Sequence, residues 1–282
     1  KLKDREIISP EPYRLNAYFN QKVNMIQAFD MLINENTDEI PNTKPFDLTI
    51  SRDDQAFGHN TVRQIKLQQQ REKTVIFQPL GSGAKHNGDF LIDASGRSFE
   101  VKDIITVVKE LSKHYSVILM TNVEIPVQQT MGAAIPQANI LQWMGIVNAC
   151  DYFLGCDSMG QHYAHALGKP ATVVIGSTYP ENITYPDNKQ FTIIDNGEEL
   201  GRGYNPFRVT HDFDTERSNE DMMVMSDKRV KEIIKSVTNK LGLTKQSKPP
   251  SLDTSNLIKK AVAEVTESNK NKQPFAVLNQ NK

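Results

Sequence analysis

Apolar positions along the chain follow two rhythms. Between Leu15 and Asn34, Phe19, Val23, Ile26, Phe29 and Leu32 recur near the helical period, which predicts one amphipathic helix. Residues 36–60 carry Pro41 and Pro45 and then Phe46-Asp-Leu-Thr-Ile50, which predicts a connector with one edge strand. Thr61 to Lys73 is polar, with Gln68, Gln69 and Gln70 in a row, and fits a solvated helix that closes a first segment at about residue 70. Beyond it, short apolar runs alternate with amphipathic stretches. The strands are expected at Thr74–Phe77, Ser116–Met120, Tyr152–Gly155, Ala171–Ile175 and Phe191–Ile194. The helices between them are expected on the stripe Val101, Ile104, Ile105, Val108 and Leu111, at Ile140–Ala149 and at Met159–Leu167. Strands this uniformly apolar are covered on both faces, so the predicted fold is α/β, a Rossmann-like parallel sheet flanked by helices.

After Gly203 comes an acidic stretch, His211 to Asp221, and then a clean stripe of Val230, Ile233, Ile234, Val237 and Leu241. Ser226 is its candidate N-cap and Gly242 its stop, so a helix over Ser226–Leu241 is predicted. From Lys245 onward Pro249-Pro250, Ser, Asn, Gln and Lys dominate around a short amphipathic stretch at Leu257, Ile258, Ala261, Val262 and Val265, which predicts a flexible tail with one docking helix. The chain therefore divides into 1–70, 71–205, 206–243 and 244–282, with no internal repeat.

Composition narrows the function classes. Of 282 residues, 38% are hydrophobic and 24% charged, and 33 Lys and Arg against 34 Asp and Glu leave a net charge of −1. Without a basic excess there is no electrostatic case for nucleic acid or an anionic membrane as partner. The longest apolar runs fall far short of the ~20 residues that span a bilayer. Two cysteines, Cys150 and Cys156, do not make a disulfide scaffold and point to a reducing, cytoplasmic compartment. The chain begins at Lys1 with no signal-peptide pattern, which fits a fragment or a processed product.

Two clusters carry candidate chemistry. Gln78-Pro-Leu-Gly-Ser-Gly-Ala-Lys85 follows the first strand; its glycines permit a tight turn, and exposed amides with the Lys85 ammonium suit an anion such as diphosphate. It has neither Walker nor dinucleotide spacing, and a plain glycine turn with a solvated lysine is the alternative. The second cluster, Gly155-Cys-Asp-Ser-Met-Gly-Gln-His162, leaves a buried strand and opens a helix. At such a place the amides of Ser158, Met159 and Gly160 face an incoming phosphate, with the helix dipole behind them. Asp157 as an ordinary cap and His162 as a buried structural histidine are the alternatives. His162-x-x-His165 lacks a third ligand in sequence, so no metal is expected.

Asp157-Ser158, His162, Ala164, the run Ala166-Leu167-Gly168-Lys169-Pro170 and Gly176-Ser-Thr178-x-Pro180 resemble the donor-site signature of family 9 glycosyltransferases, the heptosyltransferase type. The Pro79 to Lys85 loop is similar to that family's Pro-Gly-x-x-x-x-Lys loop, and Glu124 stands where the family carries a glutamate that holds the donor nucleoside. Three differences stand out: Met159 occupies a glycine position with Gly160 one place later, His165 replaces a small residue, and an insert, His86 to Ser98, follows Lys85.

The resemblance implies the C-terminal, donor-binding half of a GT-B fold, with the acceptor-binding N-terminal domain outside this chain. It implies a nucleotide-diphosphate-sugar donor of the ADP-heptose kind and a saccharide or lipopolysaccharide-type acceptor, with inverting, metal-independent transfer and no cofactor. Ser82, Gly83, Lys85 and the Ser158 to Gly160 amides would take the diphosphate, Glu124 the nucleoside and Asp157 the sugar. His162 would lie among these donor-binding residues and is the one local candidate for the catalytic base. Asp212-Phe-Asp214 spells a metal-binding motif but lies in a polar stretch after the last strand. A nucleotide-sugar epimerase and a non-catalytic GT-B-like binding or assembly protein are the competing readings.

Overall fold

The uniformly apolar runs become the strands of one parallel sheet in the computed structural model, which describes residues 8–42, 48–87, 90–93, 95–121, 123–125, 132–202 and 221–244. All of these lie within one unit, Lys1–Ser247. A single 3-10 turn at Pro12–Arg14 precedes α1 (Asn16–Phe19), α2 (Met25–Ile33) and α3 (Arg52–Gln69). Then come β1 (Thr74–Gln78), a hairpin of β2 (Ala84–Asn87) and β3 (Phe90–Asp93), α4 (Val101–Leu111) and β4 (Ser116–Leu119). The rest is α5 (Ile140–Ala149), β5 (Tyr152–Cys156), α6 (Met159–Ala166), β6 (Ala171–Ile175), α7 (Pro180–Ile183), β7 (Phe191–Asp195), α8 (Asn196–Glu199) and α9 (Asp227–Leu241).

The sheet runs β4-β1-β5-β6-β7, every pair parallel. Counting its strands along the chain gives the order 2-1-3-4-5, a doubly wound sheet whose winding reverses between β1 and β5. Side chains alternate between two cores. Val75, Phe77, Val117, Leu119 and Leu154 pack against Ile104, Val107 and Val108 of α4 and Val230, Ile233 and Val237 of α9. Ile76, Ile118, Phe153 and Val173 pack against Val62 and Ile65 of α3, Trp143, Ile146 and Val147 of α5 and Ala164 of α6. Burying each such side chain contributes about 1.5–3 kcal/mol, which makes the sheet the stable frame on which polar loops can be held. A smaller cluster of Leu15, Tyr18, Val23, Ala28 and Met31 forms under α1 and α2. The Asn182 side chain ties it to the sheet domain by donating to the carbonyls of Tyr18 and Val23, both at 2.9 Å.

Three expectations need correction. The helix expected over Leu15–Asn34 is broken: α1 ends at Phe19, Gln21 sits in the left-handed region at φ 53°, and Asn24 restarts the chain as α2. Asn24 and Gln27 exchange side-chain and backbone bonds in a capping box, a local preference that overrides the apolar rhythm. The connector expected through residue 60 ends at Ser51, which caps α3 by accepting from the Asp54 amide at 3.1 Å, with Asp53 and Asp54 in the favourable first turn. Residues 48–50 form no strand, and 43–47 lie outside the described residues. The insert after Lys85 is paired, with Ala84 opposite Asp93 and Lys85 opposite Ile92. The acidic stretch up to residue 220 and the Leu257 to Val265 segment lie outside the described residues.

α3 and α5 approach at backbone contact. A Cβ on Gly58 would stand 2.1 Å from the Gly145 carbonyl oxygen, and one on Gly145 would stand 2.1 Å from that of Asp54. No side-chain adjustment relieves a clash with backbone, so the helices must separate. Gly145→Ala is therefore expected to lose about 1–3 kcal/mol of unfolding free energy, read as a drop of roughly 2–4 °C per kcal/mol in a thermal melt. An unchanged melting temperature would contradict the close crossing.

Candidate functional site

Where the winding reverses, the connections of β1 and β5 leave toward opposite faces of the sheet, and a doubly wound sheet has its crevice outside the carboxyl ends at that place. Four polar segments meet there: the turn after β1, the return of the hairpin at residues 95–98, the entry into α6, and the Gly176-Ser177-Thr178 loop after β6.

Gln78, the last residue of β1, bridges to the neighbouring element. Its Nε2 donates to Ser158 Oγ at 3.0 Å and its Oε1 accepts from the Gly160 amide at 2.8 Å. Ser158 itself makes no side-chain cap bond, so a glutamine on the adjacent strand caps α6 in its place. A Cβ at Gly160 would stand 2.4 Å from both Gln78 Oε1 and the Phe153 ring, which explains why the glycine is at that position. Met159 packs against the second core.

Asp157 is 6% exposed and has a partner on each oxygen. Oδ1 accepts from Gln161 Nε2 at 3.0 Å and Oδ2 from Thr178 Oγ1 at 3.1 Å, with Arg97 Nη1 3.8 Å from Oδ2. Burial pushes its pKa above the ordinary carboxylate value, and Arg97 and the two hydrogen bonds pull it only part of the way back.

Arg97, at the end of the hairpin's return, ties the segments together. Its Nε donates to Ser95 Oγ at 3.0 Å, its Nη2 to Ser82 Oγ at 3.0 Å and its Nη1 to the Asp157 carbonyl at 3.4 Å. Asp93 fixes this return by accepting from the Ser95 amide at 2.8 Å and from the hydroxyls of Ser95 at 2.5 Å and Ser98 at 2.6 Å. Burial alone would raise Asp93, but these bonds and that from the Arg97 amide outweigh it and hold the carboxyl below its ordinary value. Ser98 also accepts from the Gly81 amide at 2.9 Å, and Ser177 donates to the Ser95 carbonyl at 2.9 Å. Arg202 secures the loop after β6, donating to the carbonyls of Gly176 and Thr178 while pairing with both oxygens of Asp195.

Of the residues singled out in the sequence, Ser82, Asp157, Ser158, Met159 and Gly160 come together at this crevice. Gly83 lies under the hairpin, where a Cβ would stand 2.5 Å from Asp93 Oδ1, so its part is close packing. Glu124 is exposed just beyond the carboxyl end of β4, on the same edge of the sheet. Lys85 is not brought in: alternation along β2 puts it with exposed Ile92 on the hairpin face opposite Ala84 and Asp93. The Gly160 amide, expected to be open to a ligand, is already bound to Gln78. His162 shares a 2.8 Å hydrogen bond through Nδ1 with the Tyr185 hydroxyl, and His165 stacks on that tyrosine at 3.5 Å. Burial, with the charge of His165 second, lowers the His162 pKa to about 4, so the ring is neutral at pH 7. Gln78 and Thr178 lay within the sequence patterns but drew no role. Arg97 was missed because it sits in the insert, where only the turn-rich run Asp93-Ala-Ser-Gly-Arg-Ser98 marks a built loop.

Among the described residues no group of three or more His, Cys, Asp or Glu is placed to hold a metal ion. Cys150 and Cys156 are buried free thiols; burial pushes Cys150 to about 12 and raises Cys156 as well, so neither is a ready nucleophile. No described helix is long and apolar enough to cross a membrane.

No protein-family pattern and no curated protein matches the sequence. Solved structures are similar to this chain at low identity. A family 9 glycosyl transferase from Veillonella parvula superposes with a TM-score of 0.51 at 10% identity, covering 77% of this chain and 60% of that one. The ADP-heptose lipopolysaccharide heptosyltransferase II of E. coli gives 0.48 at 15% identity, covering 77% of this chain and 62% of its own. The iron-containing dodecameric glycosyltransferase TibC of enterotoxigenic E. coli gives 0.43 at 15% identity, covering 78% and 54%. The chain thus spans about three-fifths of the length of the first two. The Veillonella likeness is one of fold: the five-stranded parallel sheet flanked by helices is the α/β, Rossmann-like architecture found in that glycosyltransferase.

The His162 environment has a measurable sign. The unfolded histidine titrates near 6.5 and the folded one at about 4, so between these values the unfolded chain binds more protons. The resulting stability is fully present above the unfolded pKa and is lost as the pH falls from 6.5 toward 4. In urea titrations, the advantage of wild type over His162→Gln is expected to shrink by roughly 1–3 kcal/mol between pH 7 and pH 4.5. A pH-independent difference would contradict the buried, neutral ring.

Proposed function

We propose that the chain carries the donor-binding half of a glycosyltransferase that takes a nucleotide-diphosphate-sugar of the ADP-heptose kind. The sugar passes with inversion, and without a metal ion, to a saccharide or lipopolysaccharide-type acceptor. The observation that carries this reading is the convergence of Ser82, Arg97, Asp157 and the first turn of α6 at the reversal of winding between β1 and β5. The signature at Asp157 to Pro170 and the likeness in fold to the Veillonella glycosyltransferase support it.

In this reading the diphosphate lies across Ser82 and the start of α6, where the helix dipole favours negative charge. Glu124 takes the nucleoside. Asp157, held from behind by Gln161 and Thr178, fixes the loop on which the sugar rests. The acceptor oxygen bonds to the anomeric carbon as the bond from that carbon to the diphosphate breaks. The leaving diphosphate keeps the electron pair, and fixed positive groups stabilise it. The acceptor's proton goes to a base on a facing, acceptor-binding domain. His162 is not given that role, because its Nδ1 is engaged by Tyr185 and its proton affinity is low.

One observation favours the non-catalytic reading: the Gly160 amide at the start of α6 is already taken by Gln78 Oε1. A thermal-shift titration with ADP, UDP, GDP, CMP and their sugar conjugates separates the two. A ligand that binds only the native state at 100 times its Kd adds about 2.7 kcal/mol of stability. The donor-half reading predicts a rise of several degrees with one diphosphate. Glu124→Gln is expected to weaken that ligand roughly tenfold, about 1.4 kcal/mol, without moving the ligand-free melt. A cooperative melt that no nucleotide shifts would favour the non-catalytic reading.

A further inference from the structure

Resting on the donor-half reading, we infer that Arg97, supplied by the inserted hairpin, is the side chain that receives the ligand's diphosphate, the task the sequence pattern assigns to Lys85. Lys85 stands on the outer face of β2, opposite the face that carries Asp93 toward the crevice. Arg97 stands inside it, bridging the turn after β1 to the entry of α6.

Its bonding leaves it able to take a ligand. The bonds to Ser95, Ser82 and the Asp157 carbonyl use three N–H groups of a guanidinium that has five. The contact to the Asp157 carbonyl at 3.4 Å and the 3.8 Å separation from Asp157 Oδ2 are both long for charge-assisted bonds. The side chain is 25% exposed, enough to present an edge to the crevice. Arg202, the other arginine of these loops, is 4% exposed and closed off by Asp195 and two carbonyls. The Gly160 amide is committed to Gln78, so the helix start offers fewer free donors and a side-chain cation carries more of the burden. A planar fork also suits two phosphate oxygens in a way an ammonium does not.

The test is calorimetric titration of wild type, Arg97→Gln, Arg97→Lys and Lys85→Ala with ADP, UDP and GDP, each beside its monophosphate and nucleoside. The ligand-free melt of each variant is recorded as well. The expected result is at least tenfold weaker diphosphate binding in Arg97→Gln with nucleoside affinity unchanged, partial recovery in Arg97→Lys, and Lys85→Ala within twofold of wild type. Loss in Lys85→Ala with Arg97→Gln unaffected would overturn the inference. So would equal weakening of diphosphate and nucleoside in Arg97→Gln together with a lowered melt, which marks a structural role. Wild type that binds no nucleotide overturns the donor-half reading and this inference together; wild type that binds, with Arg97→Gln unaffected, overturns the inference alone.

Discussion

Pairing of β1 with β4 on one side and β5 on the other is the constraint on which the rest of this structure depends. It forces the chain to wind in both directions from one strand and so creates the crevice at the carboxyl ends of β1 and β5. It also brings Gln78 beside Ser158 and Gly160, residues some eighty positions away in sequence. At the opposite end the same pairing is locked by Asp151, which accepts from the Thr74 amide at 2.8 Å and from Lys66 of α3 at 2.9 Å. The two ends of one strand pair therefore do different work. The amino end joins α3 to the sheet, and the carboxyl end gathers polar groups, of which Gln78, Asp157, Ser158 and Gln161 are buried.

The carboxyl end is a connected network, and this decides how its members can behave. Asp157, Thr178, Gln161, Arg97, Ser82, Ser95, Asp93 and Ser98 hold one another across four chain segments, backed by Arg202 and Asp195. Asp157 and Gln161 are the network's buried members, and removing a partner from either leaves a desolvated group unmet at about 1–3 kcal/mol. The loops are thereby held in place before any ligand arrives. Under the proposed function, such preorganisation would let charge developing on a leaving group be met by dipoles that do not have to turn.

The sheet was legible because its strands are apolar throughout and its helices α4, α5, α6 and α9 show their stripes in the sequence. α3 was half legible: only Gly58, Val62 and Ile65 are buried in an otherwise polar helix, so its first turns looked like a connector. The break between α1 and α2 was hidden because a capping box at Asn24 acts locally against a periodicity that runs through it. At the site, the neighbourhood of Asp157 was legible because strand, turn and helix follow each other directly in sequence. Arg97 and Gln78 were not, since their importance comes from contacts with distant segments that spacing along the chain does not encode. Lys85 illustrates the converse: its place in the loop pattern is right, but the pairing of β2 with β3 turns it outward.

The central claim is that the crevice at the ends of β1 and β5 is where a nucleotide-diphosphate ligand sits. Amide hydrogen exchange, followed with and without a saturating nucleoside diphosphate, tests it most directly. The account predicts added protection at Ser82 and Gly83, Ser95 to Ser98 and Ser158 to Met159, with the amino-end residues around Asp151 unchanged. Protection confined to other surfaces, or none at ligand concentrations that saturate a nucleotide-binding enzyme, would contradict it.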